Sequence, residues 1–182
     1  MMERWSFSFQ EMATVGEALR IAEEVTSDYY KFSSEQWKRH PYDVKTKALG
    51  SGIVSTPEAF AILNKGQCVD EILWPRAKGK DFYFIFVQDD QVLSALQRDD
   101  RLSLFPLMLY VFTHELIHIV RFSRFVQRFE VGGEQREEEE RRVHGITYDV
   151  LNKVPIRDLS YVLESYEDHR ICKLGPDILS YQ

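Results

Sequence analysis

Leu102-Ser103-Leu104-Phe105-Pro106-Leu107-Met108-Leu109-Tyr110-Val111-Phe112-Thr113-His114-Glu115-Leu116-Ile117-His118-Ile119-Val120 is the longest apolar stretch of the chain, and it carries three ionisable side chains near its end. The stretch predicts a long helix running to about Arg128, with Pro106 tolerated because it falls in the first turns, where the missing N–H costs least. Its length approaches that of a bilayer span. His114, Glu115 and His118 would be expensive in hydrocarbon, so the expected setting is the core of a soluble domain. On a helix, His114 and His118 stand one turn apart and point the same way, so two imidazoles can share one ion. Tetrahedral zinc takes such nitrogens at about 2.0 to 2.1 Å and leaves one place for a third protein ligand and one for water, which Glu115 can reach. Burying these groups unpaired would cost several kcal/mol, a cost that coordination offsets. With 5 His in the chain, chance produces H-E-x-x-H about once in a hundred such sequences, so the metal reading is preferred to accident.

The segments on either side place this helix in a mainly helical α+β domain. Residues 10 to 38 have a helical apolar period through Val15, Leu19, Ala22 and Val25, and predict one or two helices before Pro41. Positions 39 to 55, with Pro41, Gly50, Ser51 and Gly52, are expected to form an irregular connection. Thr56-Pro57-Glu58 offers an N-cap, a proline at the first helical position and an acid in the first turn, so a short helix closing at Gly66 is expected. Asp81-Phe82-Tyr83-Phe84-Ile85-Phe86-Val87 is aromatic and β-branched over strand length. A short helix from Asp89 or Asp90 through Leu96 follows it. Beyond the long helix, Gly132-Gly133 allows a reversal, a helix is expected over about Glu134 to Asn152, and after Pro155 a last one over about Arg157 to Arg170.

The chain has 182 residues, 44% hydrophobic and 29% charged, which suits a single domain over 1–182, with residues 1–55 as a possible N-terminal helical appendage. A chain of this length needs no metal merely to stay folded, so an ion would be present for chemistry. The formal charge of −6 argues against nucleic acid and anionic membranes as partners, since both call for a basic stripe. Cys68 and Cys172 form no metal or disulfide framework, and the N-terminus lacks a secretory pattern. A cytoplasmic location with two free thiols is therefore expected.

The third metal ligand has to come from outside the helix. The extended pattern H-E-x-x-H-x-x-G-x-x-H fails, because Arg121 stands in place of the glycine and Arg124 in place of the third histidine. The helix from Glu134 offers Glu137, Glu138, Glu139 and Glu140. Its apolar stripe of Val143, Ile146, Thr147, Val150 and Leu151, followed back three or four residues, reaches Glu139 and Glu140. Glu137 and Glu138 are expected to face water and to pair with Arg141 and Arg142. Asp149 is a further, weaker option.

The segment over 113–147, about a fifth of the chain, resembles the gluzincin branch of the zincin metallopeptidases, in which H-E-x-x-H is followed by a ligating glutamate on a later helix. The resemblance implies a fold with two metal-bearing helices and a Zn2+ held by His114, His118 and Glu140. Glu115 would then be the general base of a hydrolase acting on a peptide or protein substrate. Glu140-Arg141-Arg142-Val143-His144 is the best match to the family's second motif, and it puts His144 where the family has an aspartate that supports an imidazole. His144 and Glu139 remain alternative ligands. The resemblance also implies a substrate lying against a sheet edge, for which the strand Phe82 to Val87 is the obvious donor. Tyr148, Tyr161, Tyr166 and His169 are candidates to stabilise an oxyanion, though core packing is the commoner use of such tyrosines. Arg121, Arg124 and Arg128 beside Phe122, Phe125 and Phe129 read as solvent-facing charge next to core aromatics. The rival reading from another class is a non-catalytic metal-binding or protein-interaction module that retains the motif.

Overall fold

The computed structural model describes residues 6–47, 59–67, 81–124, 132–166 and 172–174, which form six helices and four strands: α1 (Phe9–Tyr30), α2 (Ser34–Arg39), β1 (Tyr42–Thr46), β2 (Ala61–Gln67), β3 (Asp81–Val87), α3 (Asp89–Arg98), α4 (Leu104–Ser123), α5 (Glu134–Leu151), α6 (Leu159–Ser165) and β4 (Cys172–Leu174). The architecture is α+β and mainly helical. α4 lies at its centre, with α1, α5, α6 and β4 packed around it.

α1 begins at a capping box. Ser8 accepts the Glu11 N–H, and the Glu11 carboxylate accepts the Ser8 N–H at 2.7 Å, which satisfies donors that a helix start otherwise leaves open. Its buried face is a stripe of small residues, Val15, Ala18, Ala22 and Thr26. Small side chains let the two helix axes approach, so α1, within the stretch read as a possible appendage, packs into the same core as α4. Ser33 and Gln36 repeat the capping box on α2, which puts Trp37 against Phe32 and Tyr42.

The sheet has the order β1-β3-β2-β4, with β1 parallel to β3, β2 antiparallel to β3 and β4 parallel to β2. Tyr83, Ile85 and Val87 of β3 join Ala61 and Leu63 of β2 in the main core beneath the helices, while Phe82 and Phe84 pack against each other on the opposite face. The period-two alternation of the strand thus separates two apolar surfaces.

Three expectations are corrected here. Residues 61–67 are a strand rather than the end of a helix. Ala61-Ile62-Leu63-Asn64 is buried throughout, and a short apolar run of this kind suits a strand covered on both faces as well as it suits a helix. The proposed cap at Thr56-Pro57-Glu58 lies outside the described residues. Within the expected irregular connection, Tyr42–Thr46 pairs with Tyr83–Val87 as β1. Finally, β3 is internal, hydrogen-bonded on both sides, so it offers no edge to a substrate; the outer strands of the described sheet are β1 and β4.

Lys47, just after β1, is held by two carboxylates of α3: Asp89 accepts the Phe7 N–H at 3.1 Å and the Lys47 N–H at 3.0 Å, and Lys47 Nζ pairs with Asp90 at 2.6 Å. α4 ends its described run at Ser123, and residues 125–131, including Phe125, Arg128 and Phe129, lie outside the described residues. By length and composition α4 could cross a membrane, yet 89% of its most apolar window is buried inside the fold. Gly133, at φ 60 and ψ −137, takes a backbone conformation that suits glycine and launches α5 back along α4.

Candidate metal centre

The 3.6-residue repeat of α4 puts Tyr110, His114 and His118 on one face at successive turns. α5 runs antiparallel to it and meets that face in three rungs. Arg121 pairs with Glu139, His118 and His114 meet Glu140, and Tyr110 meets His144. Val143, Thr147, Val150 and Leu151, buried on α5, hold its C-terminal half against the core.

The middle rung brings together three donors. His114 Nε2 and His118 Nε2 are 3.1 Å apart, and Glu140 sends Oε2 to within 3.3 Å of the first and Oε1 to within 3.4 Å of the second. Ligand atoms of a tetrahedral ion with bonds of about 2.05 Å stand about 3.3 Å apart, whereas neighbours in an octahedron with such bonds stand about 2.9 Å apart. The imidazole nitrogens, 3.1 Å apart, fall between these values, and with one oxygen taken from Glu140 the three ligand atoms lie within 4.8 Å of one another. His114, His118 and Glu140 therefore form a cluster that could hold a metal ion.

Both imidazoles are fully buried, as is Glu115, while the Glu140 side chain keeps 14% of its exposure. The electrostatics are those of a proton shared where a cation fits. Burial pushes the Glu140 carboxyl up, but the charge of His118 and the hydrogen bonds from His114 and His118 outweigh it and hold the group well below the usual carboxylate range. For His118, burial disfavours the charged ring, and the Glu140 carboxylate overrides it, with a smaller push from Glu115, so its pKa is raised. Glu115 thus acts on the cluster through its field from the next position on the same helix.

His144 lies outside the donor triangle. Its ring is 4.5 Å from that of His114, and its Nδ1 is 2.7 Å from the Tyr110 hydroxyl. Burial first, then the neighbouring His114, pushes it down to about 3, so the ring is neutral near pH 7. The Nδ1 atoms of His114 and His118 have no hydrogen-bond partner among the described residues. His144 therefore turns to Tyr110 rather than supporting His114 as an aspartate at that position would. Phe122, one turn beyond His118, stacks on its ring at 5.6 Å and on Tyr83 of β3 at 6.3 Å, fixing the imidazole from the sheet side.

Glu139, the other alternative ligand, has a different role. It accepts a two-pronged hydrogen bond from Arg121, with Nε 2.5 Å from Oε1 and Nη2 2.7 Å from Oε2. Arg121 is accordingly buried at 7% exposure, a correction to its reading as solvent-facing charge. Arg124 fits that reading better: it is exposed, lies over the Tyr30 and Phe32 rings, and donates to the Tyr30 carbonyl. Glu138 faces water and pairs with Arg142 at 3.1 Å, as its spacing suggests.

None of the tyrosines proposed for an oxyanion reaches the cluster. Tyr148 is 43% exposed, Tyr161 bonds to Asp99 and Arg101, and Tyr166 packs on Phe60. His169 lies outside the described residues, and Asp149 is exposed. Two neighbours of the site escaped the sequence reading. Tyr110, a helical turn before His114, and Arg121, three residues after His118 inside an apolar run, both had a signal in their spacing from the motif.

No known protein family, characterised protein or solved structure gives a significant match to this chain. Fold and site together define an α+β protein with a candidate His/His/Glu metal centre between two antiparallel helices.

Proposed function

We propose that the protein is a zinc-dependent metallopeptidase, with His114, His118 and Glu140 as metal ligands and Glu115 as general base. The observation that carries this reading is the convergence of two imidazole nitrogens and a carboxylate oxygen within 4.8 Å of one another, with Glu115 adjacent in sequence. The gluzincin resemblance of 113–147 supports it. When bound, zinc supplies a Lewis acid that polarises a carbonyl and lowers the pKa of water toward about 7. Glu115 takes the proton from the attacking water and returns it to the leaving amine. Phe122, stacked between His118 and Tyr83, keeps the His118 ring oriented. The neutral ring of His144, fixed by Tyr110, packs beside His114.

The test combines metal content and turnover. Protein purified without a His tag should hold close to one zinc per chain after supplementation and should cleave members of a peptide library; Glu115→Gln should keep the zinc and lose cleavage. A chain that takes up no zinc refutes the proposal.

One observation favours a second reading. His114, Glu115 and His118 are all fully buried, as in a centre where the ion serves structure or regulation rather than turnover. Stoichiometric zinc with no cleavage of any library peptide, by wild type or Glu115→Gln, would favour this non-catalytic metal module.

A further inference from the structure

We propose that the buried Arg121–Glu139 ion pair is the positioning device of the metal centre: it sets the rotation of α5 against α4 so that Glu140, the next residue, completes the donor triangle. This deepens the metal reading above and rests on it.

The reasoning begins with the ambiguity of α5 itself. Glu137, Glu138, Glu139 and Glu140 follow one another, and successive helical positions are turned by about 100°. A rotation of about that size would therefore exchange one carboxylate for another in front of the imidazoles. The buried residues that could resist such a rotation through core packing, Val143, Thr147, Val150 and Leu151, all lie C-terminal to Glu140. On the N-terminal side, Gly133 provides no side-chain cap, and residues 134–138 are exposed or partly so. Glu139 is the one buried residue among the first nine of α5.

That residue is gripped by the most directional partner available. The Arg121 guanidinium is a rigid planar fork, and its two bonds to the Glu139 carboxylate constrain orientation as well as distance. Arg121 itself is fixed to the metal face, three residues after His118 on the same helix. With Glu139 turned to Arg121, the following side chain is directed at His114 and His118, which it meets at 3.3 and 3.4 Å.

Stability alone does not explain the pair. A buried ion pair contributes little against an apolar pair of similar volume, because desolvating both charges consumes the attraction between them; its best-attested use is to specify register. Here register decides which glutamate reaches the ion.

The experiment replaces the pair with apolar residues, Arg121→Met with Glu139→Leu, in the full chain. The metal-free variant should unfold at the same urea concentration as wild type or a higher one. Its zinc affinity should fall about 10- to 100-fold, the range found when groups that orient metal ligands are removed. Cobalt(II) in place of zinc should show weakened absorption of the four-coordinate type, shifted toward the spectrum of Glu140→Ala. Arg121→Lys, which keeps the charge and loses the fork, should show a smaller loss of the same kind, and it serves as the test if the double variant does not fold. Wild-type affinity and an unchanged cobalt spectrum in whichever variant folds would overturn the proposal, as would a loss of affinity matched by an equal loss of metal-free stability. If wild type itself binds neither zinc nor cobalt, the metal reading fails first and this inference falls with it.

Discussion

Removing Glu140 is the sharpest single perturbation of the centre. The two imidazole nitrogens stand 3.1 Å apart, Glu140 sends one oxygen to within 3.3 Å of the first and the other to within 3.4 Å of the second, and none of the neighbouring carboxylates on α5 can replace Glu140 without turning the helix. Zinc sites release about 10–16 kcal/mol over four donors, or roughly 2.5–4 kcal/mol per donor. At 1.4 kcal/mol per tenfold, Glu140→Ala should raise the zinc Kd by about 10²–10³-fold. The assay is competition against a chromophoric chelator on metal-stripped, untagged protein at pH 7, with circular dichroism to confirm the fold. Glu138→Ala, one residue from the bonded pair and turned to solvent, is the control and should leave Kd unchanged. His144→Ala, beside the triangle but outside it, should cost about tenfold or less. Wild-type affinity in Glu140→Ala, or a larger loss in His144→Ala, would refute the assignment of the third donor.

Glu115→Gln should keep zinc affinity within a few-fold and lower any peptide hydrolysis about 10²–10⁴-fold, as measured by steady-state cleavage. Metal-free stability should peak near pH 6.5. His118 is raised in the folded state, so its contribution is complete below its unfolded value of 6.5 and is lost as pH rises through the folded pKa. His144 is pushed down to about 3, so below 6.5 the unfolded chain binds the extra proton and stability falls. Glu140, held low, adds a further loss as pH drops below its unfolded value of 4.5. Urea unfolding from pH 4 to 9 reads all three, and His144→Asn should flatten the decline between 6.5 and 4.5. With zinc bound the trend above 6.5 should reverse, because zinc must displace the His118 proton and gains as that proton leaves. Asp89→Ala strips the acceptor from the buried Phe7 and Lys47 N–H groups and should cost roughly 2–5 kcal/mol in urea unfolding, with zinc affinity unchanged.

Much of the fold was legible because local pattern and local structure coincide. The period of 3.6 in α1, α4 and α5, and the β-branched aromatic run of β3, are properties of neighbouring residues, and they survive into the fold at nearly the expected bounds. Ala61–Gln67 was not legible. Three or four consecutive apolar residues satisfy a buried strand and a helix end equally, and only pairing with β3 separates them. The mixed composition of Tyr42–Thr46 likewise hides a strand, which only its ladder with β3 makes visible.

The candidate site divides along the same line. His114 and His118 face one way because four residues make just over one helical turn, and that follows from spacing alone. Which of four adjacent glutamates meets them is a question of how far α5 is rotated about its axis, and no local period contains that angle. It was decided across space, by Val143 and Thr147 entering the core and by Arg121 taking hold of Glu139, which leaves Glu140 alone with the imidazoles.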